Sequence, residues 1–180
     1  MSAYQSVLEF WFNTIPESNW FKKDPEFDQL IAAKFGQLHT EACAGELFEW
    51  RETATGRLAE IIVLDQFSRN LFRDQPNAFA ADPLALALAQ EAIRQRADQA
   101  LETRQLSFLY MPFMHSESLK IHQQAVKLFA QPGLEHNLEF EIKHMQIIER
   151  FGRYPHRNAI LGRPSTQPEL EFLQQPGSSF

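Results

Sequence analysis

The chain has 180 residues, a net charge of −6 and a pI of about 5.5, which suits one compact domain. The acidic balance argues against sequence-independent nucleic-acid binding, which needs a basic footprint, and no apolar run approaches the roughly 18 residues of a membrane span. One cysteine, Cys43, excludes a disulfide framework and fits a reducing cytoplasm, while sixteen Phe against seven Gly point to a densely packed helical protein.

Residues 4–13 carry Val7, Leu8, Trp11 and Phe12 as a wide apolar stripe at helical spacing. Asn19, Trp20 and Phe21 fall in a polar connection. Asp24-Pro25 reads as an N-cap followed by proline at the first helical position, and Phe27, Leu30, Ile31, Phe35 and Leu38 continue that helix to about Gly45. Thr55-Gly56 precedes a third helix, whose residues Leu58 to Leu71 are apolar on most sides, the pattern of a buried central helix. Asn70 to Ala81 reads as a loop. Asp82-Pro83 repeats the cap device and opens an Ala- and Leu-rich helix through about Arg96.

A fifth helix from about Glu102 meets Pro112, which is expected to end or kink it near Met111. Glu117 to Ala130 forms the next, stopped by Gln131-Pro132-Gly133, with Ser116 placed to cap it. Residues 135–151 follow, with Phe140, His144, Ile147 and Phe151 on one face and Gly152 as the stop. Thr166 and Glu169 have capping-box spacing before a short last helix. The tail from Gln174 is loop-like, with Phe180 able to dock. The expected architecture is all-α: about seven or eight helices in antiparallel hairpins, forming one domain over residues 1–180.

Polar residues interrupt this pattern in three places. In the third helix, Leu58, Ile61, Ile62, Asp65 and Arg69 share one face, so an acid and a guanidinium four residues apart continue a core stripe. Gln66 and Asn70 make a second pair on the adjacent row. These residues are either a buried ion pair that fixes register or the wall of a polar pocket. At the proline break stand His115, Ser116 and Glu117, with His122 seven residues after His115. The window from Lys143 to Arg163 holds Lys143, Arg150, Arg153, Arg157 and Arg163 against one acid, Glu149; it carries +4 and leaves −10 for the rest of the chain. Guanidinium forks suit carboxylate or phosphate, although the same arginines could neutralise the protein's own acids.

Other chemistry is missing. There is no GxGxxG, Walker loop, HExxH or GxSxG motif. His115, Glu117, His144 and His156 are possible metal donors, and Glu141 with His144 has Glu-x-x-His spacing. A di-metal bundle needs a second such motif, so no metal or cofactor is expected. Cys43 has no basic neighbour in sequence and reads as packing.

Three segments, RLAEIIVLDQFSRNLFRDQPNAFAADPLAL, FLYMPFMHSE and RFGRYPHRNAILGRPST, resemble the DUF924 family of bacterial proteins of unknown function. The VLEFWF and WFKKDPEFDQLI stretches also match, so the resemblance spans nearly the whole chain. It implies a tetratricopeptide-like, right-handed array of helical hairpins and brings no established activity. The shared polar positions fall on Asp65, Gln66, Arg69, Asn70, Arg73, His115, Ser116, Glu117, His144, Arg150, Arg153, His156, Arg157 and Asn158. Ser68 departs from the family's usual LDQFPRN, which touches only a local backbone restriction.

The leading expectation is a helical binding module whose Asp65, Gln66, Arg69, Asn70, His115, Glu117, His144, Arg153, His156, Arg157 and Asn158 line a site for a small anionic ligand or peptide carboxylate. The enzyme alternative makes His115 or His156 a general acid/base oriented by Asp65 or Glu117, acting on a small phosphorylated or acylated metabolite. A third reading makes the polar motifs an internal salt-bridge and capping network.

Overall fold

The computed structural model describes residues 2–180 and is all-helical, with no strand among the described residues. The chain divides into two compact units. The first runs to Arg73 and takes Asn77–Pro112 as well, and the second comprises Asp74–Pro76 and Phe113–Phe180.

In the first unit, α1 (Ala3–Glu9) opens on a capping box between Ser2 and Gln5 and runs into a π-helical turn, Phe10–Thr14. That wider turn carries Phe10, Trp11 and Phe12, all buried. The Trp11 ring meets the rings of Phe67 and Phe108, each at 5.6 Å between centroids, in edge-on geometry. Edge-on contact sets the positive rim of one ring against the negative face of the next, and it explains how so many aromatic rings pack into one core. Helix α2 (Pro25–Cys43) begins as its sequence predicts: the Asp24 carboxylate accepts from the N–H groups of Glu26 and Phe27.

The central segment is continuous from α3 (Ala54–Ile62) through a second π-helical turn (Val63–Phe67) into α4 (Ser68–Leu71). Every residue from Leu58 to Ser68 is buried, as its all-round apolar sequence requires. The helix starts earlier than its sequence suggests. Thr53 is the N-cap and accepts the Gly56 N–H at 3.0 Å, which places Thr55-Gly56 inside the first turn. A side chain at Gly56 would strike the Trp50 carbonyl oxygen, so the residue is glycine because of close approach.

Three further boundaries differ from the sequence reading. The loop expected over Asn70 to Ala81 holds the end of α4 and a short helix, α5 (Asn77–Ala80). Helix α6 (Asp82–Arg94) has Ala81 at its N-cap, without a side-chain cap; the Asp82 carboxylate has another partner. Helix α7 (Thr103–Met114) continues through Pro112 instead of ending near Met111. Pro112 lies in the last turn, where its missing N–H removes one hydrogen bond near an end that frays anyway, so the helix tolerates it.

In the second unit, α8 (Leu119–Phe129) and α9 (Glu135–Phe151) pack on each other across the short connection at 130–134. Ser118, not Ser116, is the N-cap of α8; the Ser116 hydroxyl accepts the Ser118 N–H at 3.2 Å. Gly152 ends α9 at φ +70°, as the sequence indicates. The buried face of α9 is Glu141, His144, Ile147 and Ile148, while Phe140 points outward at 42% exposure. A carboxylate has displaced an aromatic ring from the core face because it has a buried partner on α8. A 3₁₀ turn (Pro155–Arg157) and α10 (Gln167–Leu173) complete the unit, and α10 opens on the predicted Thr166/Glu169 capping box.

Candidate functional site

The sequence-predicted polar residues fall into two groups, one in each unit. In the first unit, Asp65 and Gln66 lie in the π-helical turn and Arg69 and Asn70 in α4. Asp65 and Arg69 meet as their four-residue spacing suggests. Arg69 Nη1 is 3.6 Å from Asp65 Oδ1 and donates to the Asp65 carbonyl oxygen at 2.9 Å. Its stronger partner is Asp82, which accepts from both terminal guanidinium nitrogens at 2.8 and 3.0 Å. Gln66 Nε2 donates to Asp65 Oδ2 at 2.6 Å. Asn70 and Arg73 both converge on Asp28: Asn70 Nδ2 at 2.8 Å, and Arg73 as a fork at 2.6 and 2.8 Å. Asp28 and Asp82 carry these pairs; the sequence marks Asp82 only as a helix cap and Asp28 not at all, since each stands in an ordinary first helical turn.

A further ion pair in this unit joins Arg51 to the buried Glu60, at 2.7 and 2.6 Å. His39 is also buried, with Nε2 2.7 Å from the Ser68 hydroxyl, and burial lowers its pKa. Ser68 thus joins two helices through its hydroxyl. Cys43 is exposed and not packed in the core; it lies 3.7 Å from His39 Nε2, and partial burial of the thiol raises its pKa.

In the second unit the basic segment is held largely by the protein's own groups. Glu117 accepts a forked pair from Arg163 at 2.8 and 2.9 Å and the Tyr154 N–H at 2.8 Å. Burial pulls the Glu117 carboxyl upward, but the Arg163 and Tyr154 hydrogen bonds and the Arg157 and Arg163 charges outweigh it and hold the pKa below the ordinary value. Glu169 accepts from Arg153 at 2.7 and 2.8 Å and from the Thr166 N–H. The Arg153 hydrogen bonds lead the causes that lower its pKa to about 2. Asn158 donates to the Ser165 hydroxyl and accepts from Arg163 Nε. Arg157 is buried, donates from Nη2 to the His115 carbonyl oxygen at 2.9 Å, and places its guanidinium 4.8 Å from the Tyr154 ring centroid. Arg150 is exposed and rests on the Phe151 and Phe172 rings, beside an open depression of about 600 Å³ that Arg153, Thr166 and Glu169 also line.

Tyr154 stands at the centre of an imidazole group. Its hydroxyl donates to the Met114 carbonyl oxygen and lies 3.1 Å from His122 Nε2. His122 Nε2 is also 2.7 Å from the Ser116 carbonyl oxygen, which can only accept, so Nε2 carries a proton. On the other side of the ring, Nδ1 is 2.6 Å from Glu141 Oε1, and both residues are fully buried. Burial raises the Glu141 pKa, and its Oε2 has no hydrogen-bond partner. One proton therefore serves the Nδ1–Oε1 contact and keeps the pair neutral overall.

His144 and His156 flank the same ring, at 5.8 and 5.7 Å between centroids. His144 is buried, with Nδ1 2.7 Å from the Phe140 carbonyl oxygen. Burial first, then the charges of His115, His122 and His156, push its pKa down to about 3 against the pull of that carbonyl. The ring of Phe180 closes the group, 3.8 Å from His144, 4.5 Å from His156 and 5.2 Å from Tyr154. Tyr154, Glu141 and Phe180 were not among the site residues expected from the sequence, which marks Glu141 only by its Glu-x-x-His spacing with His144 and Phe180 only as a tail residue able to dock. Nothing local marks Tyr154, whose contacts reach back to Met114 and His122. Among the described residues, no group of three or more His, Cys, Asp or Glu side chains is arranged to hold a metal ion, and no helix is long and apolar enough to cross a membrane.

A family model for bacterial proteins of unknown function, DUF924, matches residues 7–177. A solved structure of a protein of unknown function from Agrobacterium tumefaciens is 40% identical, covers 95% of this chain and 96% of its own, and superimposes with a TM-score of 0.90. No curated protein matches. The long segments around Asp65, His115 and Arg157 thus sit inside a match that takes in both units, and the chain belongs to the DUF924 family.

Proposed function

We propose that the protein is a cytoplasmic binding module of tetratricopeptide-like helical hairpins that takes a small anionic ligand or peptide carboxylate on the imidazole group of its second unit. One observation carries this reading. His122, His144 and His156 surround the Tyr154 ring and the charges of His115, His122 and His156 act on His144, while the acids Glu117 and Glu169 are bound by Arg163 and Arg153. Imidazoles that repel one another's protons gain from an incoming anion, which lets one of them protonate at low cost. Arg157 and Asn158 support the loop that presents His156, and Arg153 and Glu117 brace it. The set Asp65, Gln66, Arg69 and Asn70 serves the first unit as an internal network with Asp28 and Asp82.

A hydrolase or transferase with a His general acid/base needs an imidazole oriented by a carboxylate and open to substrate. His122 is oriented in this way by Glu141, but the pair is fully buried and closed to a substrate. Calorimetry and thermal-shift titration with acetate, inorganic phosphate and an acidic peptide test the proposal. The expected result is saturable binding that His156→Ala weakens at least tenfold and that Arg153→Ala leaves within about threefold. Equal binding by wild type and His156→Ala, or none by either, overturns it.

A further inference from the structure

Phe180 is half exposed, at 52%, yet its ring lies against three residues of the imidazole group. The route that brings it there is specific. After α10 the backbone turns at Gly177, whose φ of +77° favours glycine. Ser178 is then buried, and its hydroxyl donates to the Leu173 carbonyl oxygen at 3.2 Å, fixing the segment to the end of α10. The next two residues carry the Phe180 ring onto His144, with Tyr154 edge-on at 85° and His156 at 65°. A phenyl ring is thus cradled by two imidazoles and a phenol, while half its surface remains in water.

We infer that Phe180 is an internal occupant of a ring-binding site formed by His144, Tyr154 and His156, and that the ligand of this site is a small aromatic anion whose ring displaces Phe180. This rests on the anion-binding reading above and adds to it the ring and the displaceable cover. The cradle supplies both halves of such a ligand's chemistry. The Tyr154 and imidazole rings receive the ring in edge-on or tilted contact, and the imidazole nitrogens, with the Arg157 guanidinium 4.8 Å from the Tyr154 ring centroid, favour a negatively charged ligand. The half-exposed seat makes Phe180 a weak competitor, held by one hydroxyl contact and one turn. A site closed for most of the time by its own segment binds ligand more weakly in proportion to the fraction open.

Titrations with phenylacetate and acetate, an anion with and without a ring, separate the two claims. Wild type, Phe180→Ala and Ser178→Ala are compared by calorimetry and by the imidazole NMR signals of His144 and His156. Removing an exposed ring or a single hydroxyl leaves the helices in place, which far-ultraviolet circular dichroism checks. The expected result is that phenylacetate binds Phe180→Ala about tenfold more tightly than wild type, with Ser178→Ala between them, while the acetate affinity changes by less than twofold. If phenylacetate binds all three proteins equally, or no better than acetate, the cover and ring site are overturned while anion binding stands. If neither anion binds Phe180→Ala, both readings fall together.

Discussion

Arg69 grips Asp82 through two hydrogen bonds of 2.8 and 3.0 Å, and Asp82 therefore caps no helix. The chain uses Asp-Pro twice at a helix start. Asp24 spends its carboxylate on the backbone N–H groups of Glu26 and Phe27, whereas Asp82 sits one residue inside its helix and spends its carboxylate on a side chain thirteen positions back in the sequence.

The two aspartates should differ when removed. Asp24→Ala loses a cap, about 1 kcal/mol. Asp82→Ala leaves the Arg69 guanidinium, partly buried, without its main acceptor, and we expect a loss of about 2 kcal/mol. A double-mutant cycle of Arg69→Gln with Asp82→Asn in denaturant unfolding should give a coupling of about 1–2 kcal/mol. A coupling below about 0.3 kcal/mol would reduce the pair to a surface contact.

Arg51 and Glu60 make a sharper case, because Glu60 is fully buried. Arg51→Met strands a carboxylate in the interior and should cost about 3–5 kcal/mol. The double variant Arg51→Met/Glu60→Leu should recover most of that loss, since an apolar pair carries no desolvation penalty. Chemical denaturation of the three proteins checks the ordering; a double variant as unstable as Arg51→Met contradicts it.

His144 gives the chain an acid-sensitive window. An unfolded histidine titrates near 6.5, whereas burial among His115, His122, His156 and Tyr154 holds folded His144 at about 3. Between those values the unfolded chain binds the extra proton, so stability is complete above pH 6.5 and falls as pH drops. Between pH 7 and pH 5 the loss from this group is about 2 kcal/mol. Glu169, lowered to about 2, adds its own loss only below about pH 4.5. Unfolding midpoints from pH 7 to 5 should therefore fall more steeply in wild type than in His144→Phe, which keeps only the contributions of other buried groups such as His39 and Glu141. Parallel slopes would place the sensitive group elsewhere.

The fold was legible wherever local chemistry decides the outcome. The Asp24 cap, the Thr166/Glu169 box, the Gly152 stop and the buried segment from Leu58 to Phe67 each follow from a few adjacent residues. Elements set by distant contacts were not legible. No sequence period announces the π turn at Val63–Phe67, although Arg69 still meets Asp65 at 3.6 Å as their four-residue spacing suggests. Glu141 occupies the core face of α9 only because His122 on α8 meets it. The +4 window from Lys143 to Arg163 was visible, but its meaning depended on Glu117 and Glu169, which lie outside it and bind Arg163 and Arg153. The sequence marks these polar loops but does not separate residues that hold them, such as Arg153 on Glu169, from those proposed to face a ligand.

That separation can be measured directly. A histidine-selective NMR titration with acetate at pH 6.5 reads every imidazole at once, and two serve as internal controls: His39, buried in the first unit beside Ser68, and His136, exposed on α9. The expected result is saturable shifts of His115, His144 and His156, with His39 and His136 unmoved. Shifts confined to His136, or no saturable shift at any imidazole, would contradict it.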